Sequence, residues 1–148
     1  TIWNNTMAFS FIEQDIETIS SILGQKPEAF ENSWTWNLRN DASDKPMIIN
    51  LYNSINFDGD KEGSIVSVQT RHGYYELHNL TGFLVFEPDE IIFICSKKKT
   101  LSCLIVGKGN TCSFYANIHK KMLHRDPSEL DPAVLLASMQ LSLIENKL

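Results

Sequence analysis

Glycine and proline are scarce, at seven and five in 148 residues. Average usage is about 7% and about 5%, so collagen-like and low-complexity readings are excluded. Cysteine is scarcer still. Cys95, Cys103 and Cys112 form an odd set without the density of a secreted disulfide scaffold, which predicts reduced thiols in an intracellular, cytoplasmic setting. No apolar run approaches the roughly 18 residues of a membrane helix, and residues 1–5 carry neither a basic stretch nor a small-residue cleavage site. A soluble protein with no transmembrane segment is expected. Two sequons, at Asn4 and Asn79, are about what twelve asparagines produce by chance. Cations are the minority charge, 13 against 18 acids for a net charge of −5. That balance disfavours nucleic acid as partner unless the cations gather on one face.

Recognisable catalytic motifs are missing as well. There is no Gly-x-Ser-x-Gly elbow and no cysteine in a catalytic surround, so no catalytic residue is assigned and a non-enzymatic role is expected. Gly107-Lys108-Gly109-Asn110-Thr111 has the glycines of a phosphate loop, but Ser or Thr does not follow the lysine and a strand follows the segment, which predicts a hairpin turn. Asp58-Gly59-Asp60-Lys61-Glu62-Gly63 matches the first half of a calcium loop. Gln69 stands where the bidentate Glu belongs, so a solvated acidic turn is expected. The cysteines, eight and nine residues apart among Ile, Leu and Phe, lack the tight knuckles of a zinc site even with His119 nearby, and are read as buried structural thiols. His78, alternating with Tyr74 and Glu76, is read as a surface strand histidine. No metal and no cofactor are assigned.

What remains is strong patterning. Ser10-Phe11-Ile12-Glu13 forms a capping box, Ile12, Ile16, Ile19 and Leu23 follow at helical spacing, and Gly24 sits at a left-handed C-cap. A short turn is expected at 27–30. The period then changes to two, with Trp34, Trp36 and Leu38 on one face, and strands are predicted at 33–38, 47–53, 64–71, 74–79, 83–87, 91–96, 100–106 and 111–118. Their short connections predict an antiparallel meander. Asp131-Pro132 starts a last helix whose stripe, Leu130, Val134, Ala137, Leu141, Ile144 and Leu148, is joined by a second apolar row, Leu135, Leu136, Met139 and Leu143. The predicted domain is α+β: an N-terminal helical segment (1–30), a curved antiparallel sheet of seven to eight strands forming a partial barrel (31–118), and a C-terminal helix (126–148) packed on or closing it.

From about residue 46 this element order resembles the pleckstrin-homology-like fold, which implies a bent sheet plugged by the last helix. Ser138-Met139-Gln140-Leu141-Ser142-Leu143-Ile144-Glu145 resembles part of a ubiquitin-interacting motif, implying ubiquitin as a partner. Gly73-Tyr74-Tyr75-Glu76-Leu77-His78, with Thr81-Gly82-Phe83-Leu84, resembles a stretch of cytosolic haem-carrier proteins. That likeness implies a small apolar ligand, haem or lipid, in a curved-sheet cavity, and assigns no ligand residue.

Hairpin geometry also concentrates charge. Lys97, Lys98 and Lys99 fill one turn, and the return along 111–118 delivers His119, Lys120 and Lys121 to the same end, with His124 and Arg125 following. Six of the 13 formal cations are thereby expected on one rim suited to an anionic lipid or phosphopeptide. The leading expectation is a protein-interaction or adaptor domain. It would self-associate as a homodimer, or bind a protein partner, through Leu135, Leu136, Met139 and Leu143, with Lys97, Lys98, Lys99, Lys120, Lys121 and Arg125 as an anion-binding surface. The alternative is the haem or lipid carrier.

Overall fold

A computed structural model describes residues 9–39, 45–53, 56–57, 60–61, 63–86, 89–107 and 109–121. The helix expected at 126–148 lies outside them. The first apolar stripe forms α1, Glu13–Leu23, which buries Ile16 and Ile19 and ends at Gly24 in the left-handed conformation (φ 73°). Its start differs from expectation. Ser10 makes no capping box with Glu13; instead the Ile12 N–H donates to Asp15 Oδ2 at 2.9 Å, and Ile12 is 61% exposed. The reason lies one residue earlier. Phe11 is buried, its N–H donates to Asn53 Oδ1 (2.8 Å) and its carbonyl accepts from Asn53 Nδ2 (2.9 Å). Held by that pair, residue 11 is tied to a segment 42 positions away and is unavailable to the helix.

Each expected strand forms, with ends moved by a residue or two. Two antiparallel meanders result. The first sheet is ordered β1-β2-β3-β6-β7, from β1 (Glu28–Phe30), β2 (Ser33–Leu38), β3 (Met47–Tyr52), β6 (Ile65–Thr70) and β7 (Tyr74–Leu77). The second is ordered β11-β10-β9-β8, from β8 (Gly82–Phe86), β9 (Glu90–Ser96), β10 (Thr100–Gly107) and β11 (Thr111–His119). A ribbon of β4 (Asn56–Phe57) and β5 (Asp60–Lys61) joins β3 to β6, so Asp60 belongs to a hairpin. Residues 28–30, expected as a turn, form edge strand β1, which folds back on β2 through Glu31 at φ 53°.

The expected single curved sheet is broken. Among the described residues no pairing joins β7 to β8, although only four residues separate them. This connection is held from both sides. Leu80, buried, donates its N–H to the Ser64 carbonyl (3.1 Å) next to the first sheet, and Thr81 donates its own to the Ile94 carbonyl (2.7 Å) in the second. The Thr81 hydroxyl also donates to Ile94 O (3.2 Å) and accepts from the Ser96 N–H (2.9 Å). Asn79, at φ 54°, makes the corner, and its side chain accepts from the Gly63 N–H.

The main core lies between the sheets. Trp34, Trp36, Met47, Ile49, Leu51, Val66 and Val68 from the first sheet meet Ile91, Phe93, Cys95, Leu104 and Val106 from the second, with Ile16 and Ile19 of α1. Period-two alternation explains these choices on the first sheet, where β3 alternates buried and half-buried residues. It fails on β9 and β10, whose residues are buried on both faces. Phe9 and Phe11 extend the core as rings 5.0 Å apart that also meet Phe83. Among the described residues no helix is long and apolar enough to cross a membrane.

Candidate functional site

The Lys-rich end of the second sheet is built by two chain reversals. Lys97, Lys98 and Lys99 occupy the tight turn between β9 and β10, closed by the Lys97 N–H on the Thr100 carbonyl (2.9 Å). Beyond it β10 runs to Gly107 and turns through Gly109 (φ 83°) and Asn110 (φ 59°), so 107–111 is a hairpin turn as expected. On the way back β11 bulges. The register shifts between Leu101 and Cys103, Asn117 adopts φ 52°, and its N–H donates to the Ser102 hydroxyl (2.8 Å). Past the bulge His119 pairs with Thr100, and the Lys120 N–H donates to the Lys99 carbonyl (2.9 Å).

This pairing brings Lys98, Lys99, His119, Lys120 and Lys121 around one hollow of about 380 Å³, with no carboxylate among the described residues that line it. The lysines do not play equal parts. Lys120 Nζ donates to Ser96 Oγ (2.8 Å) and to the Lys97 carbonyl (2.7 Å), so it fastens the turn and orients its neighbours. Lys97, Lys98, Lys99 and Lys121 are exposed, and the wall of the hollow is almost wholly the aliphatic surface of its lining side chains. At physiological ionic strength the screening length is about 8 Å, so cations this close reinforce one another's field. His124, Arg125 and the residues expected to bind a partner, Leu135, Leu136, Met139 and Leu143, lie outside the described residues.

Two other concavities escape sequence reasoning. A hollow of about 400 Å³ gathers Lys45, Arg71 and His72 beside Tyr75, Asn110 and Thr111. The Asn110 side chain closes one wall by donating to the Lys45 carbonyl. Nothing local in the sequence says that the turns at His72-Gly73 and Gly109-Asn110 meet. A groove of about 650 Å³ runs between α1 and β1, lined by Ile16, Ser20, Pro27, Ala29 and Trp34 with Glu13 and Glu17 at its rim.

The three thiols do not converge. Cys95 and Cys112 pack with the core between the sheets, whereas Cys103 packs on the opposite face of the second sheet. Burial raises all three, Cys103 to about 12 and Cys112 to about 11 from the ordinary 9.0, while Lys97 partly offsets the rise at Cys95. They stay protonated at neutral pH and are poor nucleophiles. A thiol raised in the folded state supports stability fully below pH 9.0 and loses that support as pH climbs toward its folded value. Relative to a Cys103→Ala protein, the wild type is therefore expected to lose about 1 kcal/mol between about pH 8 and about pH 10. Parallel urea midpoints for the two proteins over that range would contradict the burial described.

On the exposed side of β7, Glu76 accepts from the Tyr74 hydroxyl (2.6 Å) and pairs with His78. The Tyr74 bond, then that of His78, holds the Glu76 carboxyl below its usual range, and the same bond raises Tyr74. His78 is thus a surface histidine serving a strand-face cluster. The described residues define a domain of two antiparallel sheets with one helix packed against their shared core. No protein-family model, no curated protein and no solved structure matches the chain.

Proposed function

We propose that the protein is a non-enzymatic interaction domain that meets an anionic partner at the Lys-rich end of its second sheet, with the apolar C-terminal segment providing a surface for self-association or for a protein partner. The observation that carries this reading is the hollow lined by Lys98, Lys99, His119, Lys120 and Lys121 on a chain whose net charge is −5. Concentrating the minority charge on one hairpin end, and fixing it with Lys120, builds a local field opposed to that of the whole molecule. Few aromatic side chains accompany it, which favours lipid phosphate or phosphopeptide over stacked nucleic-acid bases.

The test is retention on anionic vesicles at low salt. Wild type is expected to bind and to be released as salt rises, and Lys97→Glu, Lys98→Glu, Lys99→Glu together should abolish retention. Each lysine near an anionic surface contributes about 1 kcal/mol, so losing three alone weakens binding by about 100-fold. Failure of the wild type to bind at low salt would remove this role from the lysines.

A second reading, carriage of a small apolar ligand, is favoured by the groove beside α1, whose 650 Å³ is of ligand size. The space between the sheets suits it less, because Trp36, Phe93, Met47, Ile49 and Leu51 fill it. A Soret band or a co-purified lipid in native mass spectra would favour the carrier.

A further inference from the structure

The second sheet has two buried faces, and the core between the sheets accounts for only one. On the other, Ile92, Ile94, Leu101 and Cys103 are 0% exposed and Ile105 is 5% exposed. Leu84, Phe86, Tyr115 and Ile118 pack around them. Every member of this cluster comes from β8 to β11, and among the described residues no other element contributes to it. An uncovered sheet face leaves its side chains wet, so burial this complete requires a layer above it.

We propose that this layer is the chain's own C-terminal segment, residues 126–148, docked across the outer face of the second sheet through Leu130, Val134, Ala137, Leu141, Ile144 and Leu148. Position favours it: β11 is an edge strand of this sheet, and the segment begins a few residues after His119, where β11 ends. Residues 1–8, by contrast, join the chain at Phe9, which packs in the core between the sheets. Length favours it too, for the helix its spacing predicts from Pro132 spans about 26 Å, against about 15–20 Å across four strands. Its composition matches, since the docking row is uncharged and the face beneath is Ile, Leu and Cys.

The consequence concerns the second row. At 100° per residue, Leu135, Leu136, Met139 and Leu143 lie about opposite the docking row and face away from the sheet. Docking and partner binding then use different faces of one helix, so this inference stands whether or not the proposed function does. It also gives the segment's apolar girth a reason: one side closes the domain and the other is offered outward.

Cys103 reports on the cover and Cys95, on the inner face, controls for global opening. Full-length protein is treated with a maleimide and each cysteine's labelling is followed by mass spectrometry. In the wild type, Cys103 should label far more slowly than in urea, at a rate unchanged by dilution. In Leu141→Glu the ratio of Cys103 to Cys95 labelling should rise about tenfold or more, as expected for loss of a buried Leu contact, whereas Leu143→Glu leaves it unchanged. Should Leu141→Glu unfold the whole domain, Leu141→Ala carries the same ratio test. Protection lost on dilution would assign the cover to a second copy. Free reactivity in the wild type would show an open face, and an unchanged ratio in both Leu141 variants would exclude this segment; any of these overturns the proposal.

Discussion

Trp36→Ala is expected to lower the unfolding free energy by about 3–5 kcal/mol, the largest effect of any single substitution considered. Trp36 is fully buried in the cluster that joins α1 to both sheets. Its indole N–H donates to the Gln25 carbonyl (3.1 Å) and to Ser20 Oγ (3.3 Å), tying the end of α1 to the middle of β2. Truncation leaves a cavity that the surrounding strands cannot close and strips a donor from the helix end. Domains of this size have about 5–15 kcal/mol in total, so the loss should appear as a large fall in the urea midpoint. Trp36→Phe keeps most of the packing and removes the hydrogen bonds with a smaller loss of volume, at an expected cost nearer 1–3 kcal/mol. If alanine costs no more than phenylalanine, the cavity argument fails and α1 is not packed as described.

Asn53→Ala comes next, at about 2–4 kcal/mol, although Asn53 is neither charged nor in the apolar core. Its amide imitates a strand neighbour: it accepts from the Phe11 N–H and donates to the Phe11 carbonyl, and its oxygen also receives the Ser64 hydroxyl (3.1 Å). Ser64 is fully buried and contacts the Phe9 carbonyl as well (2.6 Å). Alanine at 53 would strand two backbone groups of a buried residue, each at about 1–3 kcal/mol. The damage should be directional. Hydrogen exchange is expected to rise in residues 9–16 before it rises in β9 and β10, and uniform exchange across the chain would show that Asn53 does not hold the segment leading into α1.

These two sites mark where sequence reasoning succeeds and where it stops. Trp36 was legible as an inward residue because Trp34, Trp36 and Leu38 alternate with polar neighbours, and the structure buries all three. Asn53 was not legible, because it ends the strand expected at 47–53 and nothing nearby reveals a partner 42 positions away. The same limit misplaced the start of α1: Ser10 and Glu13 satisfy the local rule for a capping box, but the backbone of residue 11 was already committed elsewhere. Between β7 and β8, residues 79–82 carry the marks of a hairpin turn. Whether such a turn joins paired strands or carries the chain to another sheet depends on what its backbone groups bond to, here Ser64 and Ile94.

The Lys-rich end was more legible, because hairpin arithmetic is local: a turn, an outward strand and a returning strand of similar length bring 97–99 and 119–121 together. The bulge at Asn117 and the fastening role of Lys120 were invisible, since both arise from contacts with residues 15 or more positions away. Composition and periodicity alone determined that this chain forms mainly antiparallel strands after one capped helix, because side-chain alternation and capping are properties of consecutive residues. Only the tertiary structure decided that the strands divide into two sheets, that β9 and β10 are buried on both faces, and that distant turns meet around shared hollows. Those outcomes depend on which surfaces face one another, and short-range pattern carries no record of distance across the fold.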